Sequence, residues 1–344
     1  VPLDLFSEVF CNKGGNPVYD VVALGELLID FTPFGSSERG NQLFEQNPGG
    51  APANVLAAIS KLGKKGAFIG MVGQDQFGSF LREVLAENGI EVSGLKFSKT
   101  YQTTLAFVHL DQDGDRSFSF YRNPGADLML SSEDVDYDLI KKAKIFHFGS
   151  VSMTKGPSRE TTLAAAKFAK EKGLIVSYDP NYRPPLWNNI TEAKTVIKSG
   201  LKYVDILKVS QEELELITGT NDLDKGTASL YEQGIQVIFV TLGPEGCYYR
   251  YPGGIGKMAT YKVKVVDTTG AGDAFLGGIL YWFSQLTLQE IYKLSLSELR
   301  KIINFANGMG ALTTTKKGGI PALPSLEEVN LLIGNLHLRK DDIF

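Results

Sequence analysis

The sequence predicts an α/β protein with a mostly parallel central sheet, helices on both faces of that sheet, and a small β lid. Three observations predict it. Short, near-continuous apolar runs alternate with segments of helical period along most of the chain. Two stretches break that rhythm with strand-period alternation and turn residues. One late helix is apolar on every face, which places it inside a large core.

The elements follow in chain order. Val21-Val22-Ala23-Leu24, Ala67-Phe68-Ile69-Gly70, Ile145-Phe146-His147-Phe148, Leu174-Ile175-Val176-Ser177, Val204-Asp205-Ile206-Leu207 and Val237-Ile238-Phe239-Val240 read as buried strands. A strand covered on both faces carries apolar side chains at successive positions. Helices are expected at 52–62, 77–88, 158–171, 211–217 and 225–233, with Gly63 and Gly89 where helix C-caps belong. Alternation of this kind builds a parallel sheet. Residues 103–110 and 116–122 alternate with period two and are joined by Asp111-Gln112-Asp113-Gly114-Asp115, a hairpin loop. Together with the turn-rich segment 31–47 they form a small antiparallel lid. The expected division is an N-terminal extension 1–18, an α/β body 19–335 with an inserted lid formed by about 31–47 and 101–124, and a tail 336–344.

Composition narrows the function. With 344 residues, 43% of them hydrophobic, the chain can bury a large core. Its 35 Lys and Arg against 39 Asp and Glu give a net charge of −4 and no basic footprint, which argues against nucleic acid or an anionic membrane as the main partner. Cys11 and Cys247 make no disulfide framework and fit a reducing cytosol, so a cytoplasmic location is expected. No run is long and apolar enough to span a bilayer, since Val21 to Phe31 is interrupted by Glu26 and Asp30. Residues 1–18 lack the basic and apolar regions of a secretory signal. His109, His147 and His337 form no metal-spaced pair. The chain has neither a Gly-x-x-x-x-Gly-Lys-Ser/Thr loop nor a Gly-x-Gly-x-x-Gly after its first strand.

The strongest chemical signal is Asp267-Thr268-Thr269-Gly270-Ala271-Gly272-Asp273-Ala274-Phe275. Gly270 and Gly272 let backbone amides approach a ligand, and a helix opens there with its unpaired N–H groups and positive dipole end. The result is an anion hole. Asp273 sits beside it, where a carboxylate is electrostatically awkward. Proton abstraction from a nucleophilic hydroxyl gives it a reason; a helix cap is the alternative. Pro48-Gly49-Gly50-Ala51-Pro52-Ala53-Asn54 is the second signal. Gly49 and Gly50 allow close approach of a polyhydroxyl ligand and Asn54 offers a donor and an acceptor, or the segment is an ordinary turn into a helix. Third comes Asp179-Pro180-Asn181-Tyr182-Arg183, directly after a predicted strand, where a parallel sheet forms its ligand crevice. Arg183 is either a phosphate contact or a partner in a surface salt bridge.

These motifs resemble the ribokinase-like, or PfkB, carbohydrate kinase family over about Tyr19 to Val329, and within it the fructokinases most. The likeness is carried by Gly49 to Asn54 and Asp267 to Asp273, and by Gly25-Glu26-Leu27-Leu28-Ile29-Asp30-Phe31. Phe120-Tyr121-Arg122-Asn123-Pro124 with Ala126-Asp127, Asp179-Pro180-Asn181 with Leu186-Trp187, and Gly319-Ile320-Pro321-Ala322-Leu323-Pro324 add to it. The resemblance implies a ribokinase-like fold and transfer of the ATP γ-phosphate to the 6-hydroxyl of D-fructose. It implies Asp273 as catalytic base, the amides of Gly270, Ala271 and Gly272 as anion hole, and Asp30, Gly49, Gly50, Asn54 and Arg122 around the sugar. Lys208, Glu213, Thr241, Gly243 and Gly246 would lie near ATP and its Mg²⁺, Glu213 acting through water, and Asn307 near the adenine. Asp267 and Thr269 would bind a monovalent cation, K⁺. One departure stands out: the family's Asn-x-x-Glu is Ser210-Gln211-Glu212-Glu213 here.

Two other readings are kept in view, and a third, a nucleoside kinase, is disfavoured because the run from Phe120 to Asp127 resembles the fructokinases. A kinase for 2-keto-3-deoxygluconate or another sugar would use Arg122 on a substrate carboxylate, and a non-catalytic binding protein would not need Asp273, Gly270 and Gly272 intact. In the lid, Ala106 and Val108 share one face of their strand, and Phe118, Phe120 and Arg122 one face of theirs. An open sheet this apolar cannot stay wet on both sides. One face is expected to cover the sugar and the other to pack on a second subunit, making a homodimer.

Overall fold

The computed structural model describes residues 17–110 and 116–335. The strands are β1 (Tyr19–Leu24), β2 (Leu28–Ser36), β3 (Gln42–Gly49), β4 (Gly66–Gly73), β5 (Ile90–Glu91), β6 (Leu95–Ser98), β7 (Leu105–Leu110), β8 (Arg116–Tyr121), β9 (Ala143–Gly149), β10 (Ile175–Asp179), β11 (Ile206–Ser210), β12 (Val237–Thr241), β13 (Cys247–Tyr251) and β14 (Gly254–Met258). The main sheet runs β14-β13-β12-β11-β10-β9-β1-β4-β5, with β6 also on β4. Its β5 to β12 portion is parallel, and β13 and β14 finish it antiparallel.

Alternate strand residues feed two cores. Val21 and Ala23 join Phe68, Ile145 and Phe239 on one face; Val22 and Leu24 join Ile69, Phe146, Phe148 and Val240 on the other. That two-residue period on a doubly covered sheet explains the unbroken apolar runs. The first face is covered by the helices Ala51–Lys61, Ala271–Phe283 and Leu296–Thr313, the second by Ser158–Glu171, Ile190–Leu201 and Gln211–Thr218. The apolar helix is deeply placed from Asp273 to Leu280, while Tyr281 and Trp282 are only partly covered and pack on Phe305. Gly63 and Gly89 follow their helices at φ 83° and 72°, the left-handed turn that ends a helix. Among the described residues no helix is long and apolar enough to cross a membrane.

Two strand readings are corrected. The run 204–207 is displaced: β11 is Ile206–Ser210, because the carboxylate of Asp205 accepts the Val176 N–H and the charged Lys208 continues the strand, paired with Asp179. The second sheet, β3-β2-β7-β8, is mixed rather than antiparallel. Both hairpins are antiparallel inside, but β2 and β7 each enter from the body and pair in parallel, Asp30 opposite Ala106 and Phe31 opposite Phe107. The first hairpin spans Leu28 to Gly49, so Asp30 and Gly49 belong to the lid sheet itself. The expected loop 111–115 and the side chain of Phe118 lie outside the described residues, as do residues 1–16 and 336–344.

Candidate active site

The carboxyl ends of the parallel strands open on one side, and the helix Ala271–Phe283 begins there. Gly270 precedes it at φ 75°, and a Cβ on Gly270 would stand 3.1 Å from Gly319 Cα. Among the described residues no side chain caps this helix. The Ala271 N–H closes a long turn bond to the Thr268 carbonyl at 3.3 Å. Asp273, 7% exposed in the first turn, accepts a hydrogen bond from Asn54 Nδ2 at 2.8 Å, so its carboxylate serves neither as cap nor as turn closure. Burial raises the Asp273 pKa, Asp179 raises it further, and Lys208, Asn54 and Arg183 pull the other way.

Lys208 supplies a buried positive charge. Its Nζ lies 2.8 Å from Asp179 Oδ2, with the two side chains 9% and 1% exposed. A Cβ on Gly272 would come within 2.9 Å of that ammonium, so the second glycine of the turn leaves room for a cation at the helix mouth. Burial pushes the ammonium pKa down, but Asp179, Glu213 and Asp273 outweigh it and the net shift is upward; Lys208 stays charged. Asp179 Oδ1 accepts the Asn181 N–H at 3.1 Å, and Asn181 turns the chain at φ 48°, a conformation Asn tolerates better than most residues.

The second glycine motif meets this corner from the lid. A Cβ on Gly49 would fall 2.2 Å from Asp30 Oδ2, and one on Gly50, at φ 119°, 2.4 Å from the Glu26 carbonyl. The Ala51 N–H at the start of the next helix donates to Glu26 Oε1 at 3.0 Å. Asp30 has its pKa raised to about 7 by burial, with Arg183 opposing and Asp273 and Asp267 adding to the rise. Asp30 therefore feels the charges of Asp273, Asp267 and the exposed Arg183, and Asp273 feels that of Arg183 too.

Other expected residues carry structural duties as well. Arg122 donates to Asp127, to Thr154 Oγ1 at 2.8 Å and to the Val151 carbonyl at 3.0 Å, and its side chain is 4% exposed. Glu213 accepts the Tyr182 N–H at 2.6 Å and the Ser210 N–H at 2.8 Å. Ser210 and Glu213 form a reciprocal capping box on the helix Gln211–Thr218, which gives the Ser at this position a physical reason. Thr241 ends β12, and Gly243 and Gly246 turn the chain at φ 56° and 93°. A Cβ on Gly246 would strike the Met258 carbonyl at 2.1 Å, and Asn307 Nδ2 donates to the neighbouring Ala259 carbonyl at 3.1 Å. Asp267 accepts the Thr269 N–H at 2.8 Å and the Gly318 N–H at 2.9 Å. His147 is buried beside Ser177 and held neutral, its pKa pushed down to about 4 by burial. Among the described residues no cluster of three or more His, Cys, Asp and Glu could hold a metal by itself.

Sequence reasoning missed two side chains. Asp179 opened a noted loop, but only its place at the end of an apolar strand hinted that it would hold a buried lysine. Glu26 interrupted an apolar run, and that interruption was the signal.

The chain matches the pfkB family carbohydrate kinases over residues 19–326. It is 44% identical over 316 residues to fructokinase-2 of Solanum lycopersicum, covering 91% of this chain and 95% of the relative. Its fold is similar to the fructokinase of Xylella fastidiosa with bound ATP, at TM-score 0.86 and 36% identity, covering 92% of this chain and 99% of that one. It is also similar to a double mutant of the Vibrio cholerae fructokinase bound to fructose, ADP and a potassium ion, at TM-score 0.81 and 34% identity, covering 90% and 97%.

Proposed function

Since the chain belongs to the pfkB family of carbohydrate kinases, we infer that it is an ATP-dependent fructokinase that moves the γ-phosphoryl group of ATP to the 6-hydroxyl of D-fructose, with Asp273 as the base. The observation that carries this reading is the buried carboxylate of Asp273 at a glycine-lined helix mouth, with the Lys208 ammonium across Gly272. Phosphoryl transfer asks the protein for in-line positioning and charge stabilisation. The sugar O–H bond breaks as the new O–P bond forms, the proton passes to Asp273, and the bond from phosphorus to the ADP oxygen breaks. A raised pKa makes Asp273 a stronger base. The developing charge falls on the amides of Gly270, Ala271 and Gly272 and on Lys208, with Arg183 at the exposed rim.

Asp30, Gly49, Gly50 and Asn54 are proposed to hold the sugar hydroxyls. Arg122 serves the same pocket from the lid exit, where Asp127 fixes it. Thr241, Gly243, Gly246 and Asn307 shape the nucleotide end. Glu213 is proposed to reach Mg²⁺ through water, with each of its carboxylate oxygens also accepting one backbone N–H. Asp267 and Thr269 offer the oxygen chemistry a hard cation prefers. K⁺ there would offset a buried carboxylate and steady a loop already tied to Gly318. On the lid, Phe107 stacks on Phe31 with centroids 4.8 Å apart and meets Tyr121, itself 67% exposed; this aromatic face suits a second copy. We place the enzyme in the cytoplasm, in keeping with its free, buried Cys247.

ADP release measured against D-fructose, 2-keto-3-deoxygluconate and a nucleoside tests the assignment. Fructose is expected to give the highest kcat/KM. Robust turnover of 2-keto-3-deoxygluconate with none of fructose would overturn it.

A further inference from the structure

Asn54 and Asp273 lie 219 positions apart in sequence, yet they form a hydrogen bond of 2.8 Å between two helix N-termini. Both are almost fully enclosed, 6% and 7% exposed. The helices that carry them are locked side by side: a Cβ on Gly277 would come 2.5 Å from Ala58 Cβ and 3.4 Å from the Val55 carbonyl. Contact this close leaves little freedom in the separation of the two first turns. Asn54 is also boxed in by glycines, since a Cβ on Gly319 would stand 3.1 Å from its Oδ1 and one on Gly270 3.9 Å from its Nδ2. Among the described residues its Oδ1 is buried with no hydrogen-bond partner.

We propose that Asn54 is a positioning residue for the reaction: its Nδ2–H engages Asp273 Oδ2 and thereby turns Oδ1 of the base toward the attacking hydroxyl. The proposal rests on the reading of Asp273 as the base. A carboxylate on a single Cβ rotates freely unless something holds one of its oxygens. The hydrogen bond also favours the ionised carboxylate, acting with Lys208 and Arg183 against burial and the charge of Asp179; the charge of Asp273 in turn raises the pKa of Asp30. A residue that only held the sugar in its ground state would act on KM. A residue that orients the base acts on kcat and on its pH dependence.

The test is the pH profile of kcat, with fructose KM, for Asn54→Ala and the isosteric Asn54→Asp. Misplacing a reacting group by about 1 Å costs on the order of 10²-fold, so Asn54→Ala should lose kcat by about that factor while fructose KM changes far less. The acid limb of its kcat profile should move to higher pH, because a bond that stabilises the ionised base is gone. Asn54→Asp keeps the side-chain volume and sets a second carboxylate against the first, so its acid limb should move further up. Combined with Asp273→Asn, Asn54→Ala should cost little additional kcat, since the base it orients is absent. A raised KM with kcat and acid limb unchanged in both variants would overturn the proposal. Near wild-type kcat in Asp273→Asn alone would instead overturn the base assignment, so the two failures are distinguishable.

Discussion

The proposed catalytic corner and the lid use charge in different ways. In the corner, Lys208 and Asp179 are paired inside the core and Asp273 is held from a second helix. In the lid, the strands carry an aromatic surface, and three carboxylates, Glu26, Asp75 and Asp127, tie down the crossings into the body. Glu26 accepts the Ala51 N–H where the chain leaves and re-enters around the first hairpin. Asp75 takes the Gly78 N–H and both the N–H and the hydroxyl of Thr103 before β7. Asp127 takes Thr104 Oγ1 and Arg122 across the second hairpin. On the proposed reading the corner's buried charge faces a phosphate, whereas the lid's carboxylates fix where a small sheet joins a large one. The difference teaches that burial of a charged residue does not mark catalysis by itself; what sets the corner apart is that its pair stands beside the glycine-lined helix mouth.

Replacing the corner's cation should have the largest effect of the substitutions that break this contrast. Lys208→Met strands Asp179 as an unpaired buried carboxylate, a loss of about 3–5 kcal/mol in stability. It should also cut kcat by about 10²–10³-fold, the scale of removing one preorganised charge stabiliser. Arg183→Ala, on the exposed rim, should lose less in kcat and almost nothing in Tm. Thermal melts and steady-state kinetics on the two variants check the order.

Arg122→Ala comes next. It also breaks a buried pair, so Tm should fall clearly, but the damage lies at the lid exit. Fructose KM should rise more than kcat falls. A kcat collapse with unchanged KM would show that the lid crossing is part of the chemistry after all.

The smallest expected effect is that of the monovalent cation. Asp267 already ties the loop to Thr269 and Gly318 through backbone amides, so an ion there adds order to a loop that is largely in place. Rates in K⁺ should exceed those in Na⁺ by a modest factor. Equal rates in K⁺, Na⁺ and a bulky organic cation would remove the ion from the account.

Much of the body was legible because strand and helix periods are local. The runs around Val21, Phe68, Phe146 and Phe239 needed only the rule that doubly covered strands are apolar throughout. The turn at Gly270 to Asp273 was legible because two glycines, an acid and an apolar helix are adjacent in sequence. The rest depended on partners distant along the chain. Lys208 lies just past the expected strand 204–207, and its buried pairing with Asp179 on the neighbouring strand is a contact no local pattern shows. The parallel pairing of β2 with β7 joins segments separated by a whole βαβ excursion, and nothing within either hairpin encodes its direction. The bond between Asn54 and Asp273 follows from the packing of two helices through Gly277 and Ala58, which no motif spacing can express.

The measurement that bears most directly on the account is kcat of Asp273→Asn at saturating ATP and fructose, on protein whose fold and substrate binding are intact. Among the described residues no side chain caps the helix that Asp273 sits on, and Asn keeps the size of the side chain. The account predicts a fall in kcat of about 10²–10⁴-fold or more, the usual worth of a general base. A kcat close to wild type would contradict it.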